Sequence, residues 1–367
     1  MSKNIFLDAP SLGGLEKKYL NAAIDSGYVS TVGPFVSRFE KDFASFLRLP
    51  YSVSVQSGTA ALHVSLYELG VGVGDEVIVP ALTFIATVNP VLYLGAKPVF
   101  VDVDSATWNI AAEKIEEKIT KKTKAIIPVH LYGNPCAMDE IIALAKKHKL
   151  RVIEDATESL GALYKNKHTG TLGDLGCFSF NGNKTITTGG GGMVAGYDKK
   201  HLNHIKFLVN QARDEAKGYY HPEVGFNYRM TNIEAALGLA QMKKLKTFLK
   251  IKKLFRAVYK ENLENIPYVK FQEQYAGAQS SCWLTTVRFE KKINIQRLQK
   301  KLLSKGIPVR RVFMPLVEFP HYKKYRQGKY ENAYSIYENS LCLPASVLNY
   351  KADILRVCKT IKEVLDR

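Results

Sequence analysis

Cysteine is sparse in this chain and forms no pattern. Five residues (Cys136, Cys177, Cys282, Cys342, Cys358) are scattered over 367 positions, odd in number and without a CxxC pair. That spacing argues against a disulfide framework or a structural zinc, and for reduced, mostly buried thiols. Eight histidines without an HExxH run give a catalytic metal no support. No apolar run approaches the length needed to cross a bilayer. The first residues, Met1 to Asp8, lack an apolar core followed by a small-residue cleavage site. A cytoplasmic protein is expected. Acidic residues are also short, 34 against 52 Lys and Arg, which leaves a net charge of +18.

That surplus has two readings. One is nucleic-acid binding through a basic patch. The other is a solvated Lys-rich surface whose field draws an anionic substrate. The local runs, Lys243-Lys244, Lys252-Lys253 and Lys300-Lys301, lie on helix-like segments beside apolar residues. Solvated helix faces explain them better, and no helix-turn-helix module or concentrated basic arm is visible. Nucleic acid is not an expected partner.

The first two thirds of the chain alternate helix-like and strand-like segments. Pro34 opens a helix with Phe35, Phe39, Phe43 and Phe46 on one face. Strands are expected at Tyr51–Val55, around Val77–Val79, at Pro98–Val103, Ala125–Val129 and Arg151–Asp155. Helices are expected over Gly58–Leu69, Phe84–Leu94 and around Met138–Ala145, and a long one over Thr231–Lys250. Thr231 and Glu234 have the spacing of a capping box. This rhythm predicts an α/β fold with a mainly parallel sheet covered on both faces. From about Leu245 onward, separated strands (Tyr268–Phe271, Trp283–Phe289, Pro308–Val312) mix with helices (Asn294–Ser304, Asn349–Val364). The expected organisation is therefore a large domain over 1–245 and a smaller α+β domain over 246–367.

In parallel sheets ligands bind beyond the carboxyl ends of the strands. Ser57-Gly58-Thr59, Thr83-Phe84, His130 and Asp155 all fall just past a strand end. Ser57-Gly58-Thr59 opens a helix, where exposed amides suit a phosphate, although Ser and Thr cap helices without any ligand. Asp155 ends an apolar strand, where a carboxylate is costly unless paired; capping the next turn is the competing role. Lys184 sits between Cys177-Phe178-Ser179-Phe180 and the run Gly189 to Gly192, flanks unlike those of a surface lysine. No GK[ST] follows those glycines, which disfavours a nucleotide triphosphatase. A buried acid and a lone Lys among small polar residues suit pyridoxal phosphate (PLP): the Lys supplies a Schiff-base amine and the acid keeps the pyridine nitrogen protonated. Phe84 has two readings, a ring stacked on a flat ligand or core packing. Glu158 either reaches the ring hydroxyl or faces solvent. Asn227 and Arg229 precede the Thr231 cap, available to an anion or a neighbouring subunit. Arg229, His321 and Tyr322 are candidate substrate contacts from their polarity near rim loops.

Taken together, Ser57 to His63, Pro80 to Thr87, Val129 to Gly133, Glu154-Asp155-Ala156, Gly170 to Asp174, Phe178 to Gly192 and Asn227 to Met230 resemble the DegT/StrS-like sugar aminotransferases, over nearly the whole chain. The resemblance implies fold-type I architecture and PLP held by Lys184, with Asp155 on the pyridine nitrogen. It implies Glu158 near the ring hydroxyl, Phe84 stacked on the ring, and Gly58, Thr59 and Ser179 on the phosphate. Asn227 would reach that phosphate from the partner subunit of a homodimer. Relatives that dehydrate sugars carry His where this chain has Lys184, so transamination is implied. Gly190, where many members carry an acid, and Thr157, often Ala, are departures. Asn181-Gly182-Asn183-Lys184 with Gly190 looks most like enzymes acting on UDP-linked 4-keto-6-deoxy-N-acetylhexosamines, on routes to bacillosamine or legionaminic acid. L-glutamate is the implied donor. A GDP- or dTDP-linked sugar is the alternative.

Overall fold

The computed structural model describes residues 4–290 and 293–365. Helices α1 (Gly14–Asp25) and α2 (Pro34–Leu47) precede strand β1 (Tyr51–Val55). Helix α3 (Gly58–Glu68) leads to β2 (Glu76–Pro80), and the short α4 (Asn89–Tyr93) to β3 (Lys97–Val101) and β4 (Thr123–Ile126). Helix α5 (Met138–His148) leads to β5 (Arg151–Asp155). A small hairpin, β6 (Leu163–Tyr164) and β7 (Lys167–His168), precedes β8 (Leu175–Ser179) and β9 (Gly192–Gly196). Helices α6 (Lys199–Val209), α7 (Asn232–Met242) and α8 (Leu245–Leu263) come next.

Seven of these strands form one sheet in the order β1-β9-β8-β5-β4-β2-β3. All run parallel except β9, which pairs antiparallel with both β1 and β8. Apolar residues such as Val77, Ile78, Val79 and Ile153 are fully buried in it, as a sheet covered on both faces requires. On α2 the predicted aromatic stripe packs inward: Phe39 and Phe43 are completely buried and their rings meet Phe178 and Phe180. The capping box of α7 forms as its spacing predicts, with Thr231 and Glu234 exchanging hydrogen bonds.

The chain after α8 supplies β10 (Val269–Phe271), β11 (Ala278–Gln279), β12 (Thr285–Phe289), α9 (Ile295–Ser304), β13 (Arg310–Arg311), α10 (Glu331–Asn339), β14 (Ser340–Leu343) and α11 (Lys351–Leu365). Strands β10-β12-β14-β13 form an antiparallel sheet, while β11 joins the β6–β7 hairpin. Phe255 of α8, Leu298 and Leu302 of α9, and Ile354 and Ile361 of α11 pack with Val287 and Leu341 of that sheet. The N-terminal arm is stitched across both regions. Ile5 joins this second cluster, the Leu7 carbonyl accepts from Ala345 N at 2.7 Å, and Gln241 of α7 donates to Ser11 O at 3.0 Å.

Three expected elements differ the most. Phe84–Leu94 is a single 3-10 turn followed by α4, because Pro90 can only occupy a first turn and starts a new helix. The long helix over Thr231–Lys250 is two helices broken at Lys243-Lys244. The strand Pro308–Val312 shrinks to Arg310–Arg311. All five cysteines are free and buried. Among the described residues no helix is long and apolar enough to cross a membrane.

Candidate active site

A cavity of about 320 Å³ opens where the parallel strands end, and most of its lining comes from the strand-end loops. After β1 come Ser57, Gly58 and Thr59. After β2 come Thr83, Phe84 and Thr87, and after β4 Val129. Asp155 ends β5, with Glu158 one turn on, and Ser179 ends β8. Lys184 lies on the loop between β8 and β9. The far wall belongs to the later sheet: Trp283, Arg310 and Phe313.

The α3 end is built for a close approach. Ser57 caps the helix by accepting from Ala60 N at 3.0 Å, and the first-turn amides of a helix have no intrahelical acceptor. A Cβ on Gly58 would stand 2.9 Å from Ser179 Cβ and 3.0 Å from Thr157 Cγ2, so only glycine fits there. Asp155 is 2% exposed and its carboxylate is held at both oxygens. Thr87 Oγ1 donates to Oδ2 at 2.7 Å, and Thr157 donates to Oδ1 from its amide at 3.1 Å and its hydroxyl at 2.7 Å. These three donors fix the orientation of the buried carboxyl group.

Glu158 accepts from Tyr132 N at 2.8 Å, and its other oxygen stands 3.8 Å from Lys184 Nζ. Burial pushes the Glu158 carboxyl up, opposed by the Lys184 ammonium. Burial likewise pulls the Lys184 ammonium below its ordinary value, opposed by Glu158 and Asp155. A lysine moved that way is a better nucleophile and a more versatile proton carrier near neutrality. One amine, two buried acids and a glycine cradle at a helix N-terminus form a donor set that suits a phosphorylated pyridine aldehyde.

The candidates do not all gather. Gly58, Thr59, Phe84, Asp155, Glu158, Ser179 and Lys184 line the cavity, as does Gly190. Phe84 is half-exposed and tilts against Phe313 with ring centroids 5.6 Å apart. Asn227 is exposed outside the cavity of its own chain and bridges to Asn210. Arg229 is turned inward, its guanidinium 2.6 Å from the buried Glu40 carboxylate. Tyr322 is fully buried, donating to Asn89 Oδ1 at 2.6 Å. His321 is exposed beside it, with ring centroids 4.2 Å apart. Neither Arg229 nor Tyr322 presents a free polar group to the cavity. His130 is also withdrawn: its Nδ1 accepts from Cys136 N at 3.1 Å, so its Nε2 carries the proton donated to Glu154 at 2.9 Å.

Trp283, Arg310 and Phe313 carried no signal in the sequence. They reach the cavity only because the second sheet docks there. Arg310 is paired at 3.2 Å with Asp8 of the N-terminal arm, and Asp8 also accepts from Asn183 at 3.3 Å.

Comparison with known proteins agrees with this geometry. Residues 10–362 match the model of the DegT/DnrJ/EryC1/StrS aminotransferase family. The GDP-perosamine synthase of Escherichia coli O157:H7 is 41% identical over 354 residues, 96% of each chain. That of Caulobacter vibrioides is 41% identical over 369 residues, 98% of each. The sugar aminotransferase Spr1654 of Streptococcus pneumoniae, solved in its PMP form, superposes with a TM-score of 0.94 at 26% identity, covering 99% of this chain and 98% of that one. With its sheet order, cavity and lysine, the chain belongs to the DegT/DnrJ/EryC1/StrS family of PLP-dependent sugar aminotransferases, and its architecture is fold-type I.

Proposed function

We propose that the enzyme moves an amino group from L-glutamate to the keto carbon of a nucleotide-linked 6-deoxysugar, and that the sugar is GDP-linked. The single observation behind the transfer itself is Lys184 beside Glu158 in a cavity floored by Asp155. For the nucleotide, the UDP-linked substrate expected from Asn181 to Lys184 with Gly190 gives way to its alternative. Two relatives at 41% identity over nearly their whole length are GDP-perosamine synthases, and that favours GDP. A dTDP-linked sugar and a nucleic-acid-binding regulator have no comparable support. We place the protein in the cytoplasm as a homodimer, with a small second domain beginning near residue 246.

When bound, PLP supplies an aldehyde that joins to amines and a ring that takes up the electron pair left behind by a departing proton. In this reading Lys184 would hold the cofactor through its amine and, when free, would be the group placed to take up and return a proton. Asp155 would face the ring nitrogen, aimed by the three hydrogen bonds from Thr87 and Thr157. Glu158 would be the residue near the ring hydroxyl. Gly58, Thr59 and Ser179 would hold the phosphate, and Asn227 would be added from the partner subunit. Phe84, at the cavity rim, would stack on the ring. Two half-reactions sharing one site make ping-pong kinetics the expected pattern.

Purified enzyme given glutamate and GDP-, UDP- and dTDP-linked 4-keto-6-deoxysugars tests this. An amino sugar should form fastest by a wide margin on GDP, and Lys184→Ala should abolish both turnover and the visible cofactor band. Preference for the UDP sugar would overturn the nucleotide assignment, and turnover by the Lys184 variant would overturn the chemistry.

A further inference from the structure

The geometry points to Trp283 as a positioning residue for Lys184, with the buried ammonium of Lys252 holding Trp283 in place from behind. The indole grips the lysine at two points. Its Nε1 donates to the carbonyl of Asn183, the residue before Lys184, at 2.8 Å. Its ring lies under the ammonium, 4.2 Å from Nζ to the centroid. The first contact fixes where the lysine leaves the backbone; the second fixes where its amine rests when charged, since an aromatic face attracts a cation.

The indole also stacks on Tyr132, with centroids 6.2 Å apart and planes 19° from parallel. The Tyr132 amide is the donor to Glu158, the carboxylate 3.8 Å from the same amine. Trp283, Tyr132, Glu158 and Lys184 therefore close a ring of contacts, and moving the indole moves both partners of the amine.

The backbone carrying Trp283 is held hard. Cys282 before it has φ of +55°, a conformation that costs a non-glycine residue about 1 kcal/mol or more. Gly133 packs so tightly here that a Cβ would fall 2.3 Å from Ser281 Oγ and 3.1 Å from Trp283 N. Lys252, 5% exposed on α8, donates at 3.0 Å to the Trp283 carbonyl and at 3.0 Å to that of Ala345. A buried ammonium whose partners are neutral carbonyls is expensive as mere packing. Its place fits a clamp joining α8, the loop before β12 and the segment after β14 at the residue whose ring lies under Lys184.

The inference rests on the PLP assignment of Lys184 but not on which sugar is used, so its test runs first without sugar. Holoenzyme variants Trp283→Phe, Trp283→Leu, Lys252→Met and Lys252→Met/Trp283→Leu are compared in three ways: the pH midpoint of the visible cofactor band, the rate of the glutamate half-reaction, and the thermal midpoint. Trp283→Leu should shift the band midpoint by about half a unit or more and slow the half-reaction about tenfold at saturating glutamate. Trp283→Phe, which keeps a ring but loses the N–H, should fall between. Lys252→Met should slow the wild-type background about fivefold and the Trp283→Leu background by less than about twofold, the signature of two residues acting through one path. If band midpoint and rate stay at wild-type values in a folded Trp283→Leu or Trp283→Phe protein, Trp283 is only packing and the proposal fails. If the Lys252 and Trp283 effects multiply, Lys252 does not act through the indole and that half of the proposal fails.

Discussion

Thr87 gives its hydroxyl proton to Oδ2 of Asp155 at 2.7 Å. Because that proton is committed, the 3.0 Å contact between Thr87 and Thr83 must run from the Thr83 hydroxyl to Thr87. A short relay of neutral donors thus aims the buried acid. Thr87→Val should leave one carboxylate oxygen without its donor and cost about 1–3 kcal/mol of stability in the cofactor-free protein. Urea unfolding measures this, and the visible band should persist because Lys184 is untouched.

Gly58→Ala places a methyl 2.9 Å from Ser179 Cβ and 3.0 Å from Thr157 Cγ2. Overpacking of this kind costs about 1–3 kcal/mol. Here the strain falls on the residues proposed to hold the phosphate, so PLP affinity should drop about tenfold or more. Equilibrium titration of the apoprotein with PLP is the measurement.

Arg229→Met separates a structural residue from a substrate contact. Its guanidinium meets Glu40 at 2.6 Å, and Glu40 also accepts from the Ser54 amide and hydroxyl, each at 2.9 Å. Removing the guanidinium leaves the buried Glu40, among the described residues, with only the exposed Lys206 ammonium at 3.8 Å as a charged partner, at a cost of about 3 kcal/mol. The variant should unfold at much lower urea while KM for both substrates stays within about twofold. A large rise in KM with stability intact would return Arg229 to the substrate site.

Lys252 also carries a pH signature. Burial depresses its ammonium from 10.5 to about 8. Between those values the unfolded chain holds the proton and the folded one does not, so stability from this group rises with pH, by up to about 1.4 kcal/mol per unit. Below about 8 the folded protein bears the charge and the increment is absent. Thermal midpoints of wild type and Lys252→Met should therefore diverge in favour of wild type from pH 8 to 10, and run parallel below about pH 7.

Much of the large sheet was legible because its strands are short apolar runs and its chemistry lies at their ends. Asp155 and Gly58 stand out once the residues at the carboxyl end of each run are inspected, whereas Ser179 was reached only through the family resemblance. The loop bearing Lys184 was legible for the opposite reason, since its flanks suit neither strand nor surface helix. Polarity near a rim loop was a poor guide for Arg229 and Tyr322, because a side chain's direction is set by partners distant in sequence, Glu40 and Asn89. Trp283, Arg310 and Phe313 were invisible on the same ground. They line the cavity only through docking of the antiparallel sheet, and no local pattern encodes that. His130 shows the converse: it lies just past a strand end, yet Glu154 draws it inside.

The loop that carries Lys184 joins two strands that are neighbours in the sheet, β8 and β9, rather than crossing between distant ones. Its two ends are cross-bonded through Phe180 N to Gly191 O at 2.9 Å and Thr188 N to Phe180 O at 2.9 Å. The reactive nitrogen is accordingly a short methylene tether rooted in a fixed post. Whatever distance it covers during turnover is set by four carbon–carbon bonds, so both substrates must come to the amine.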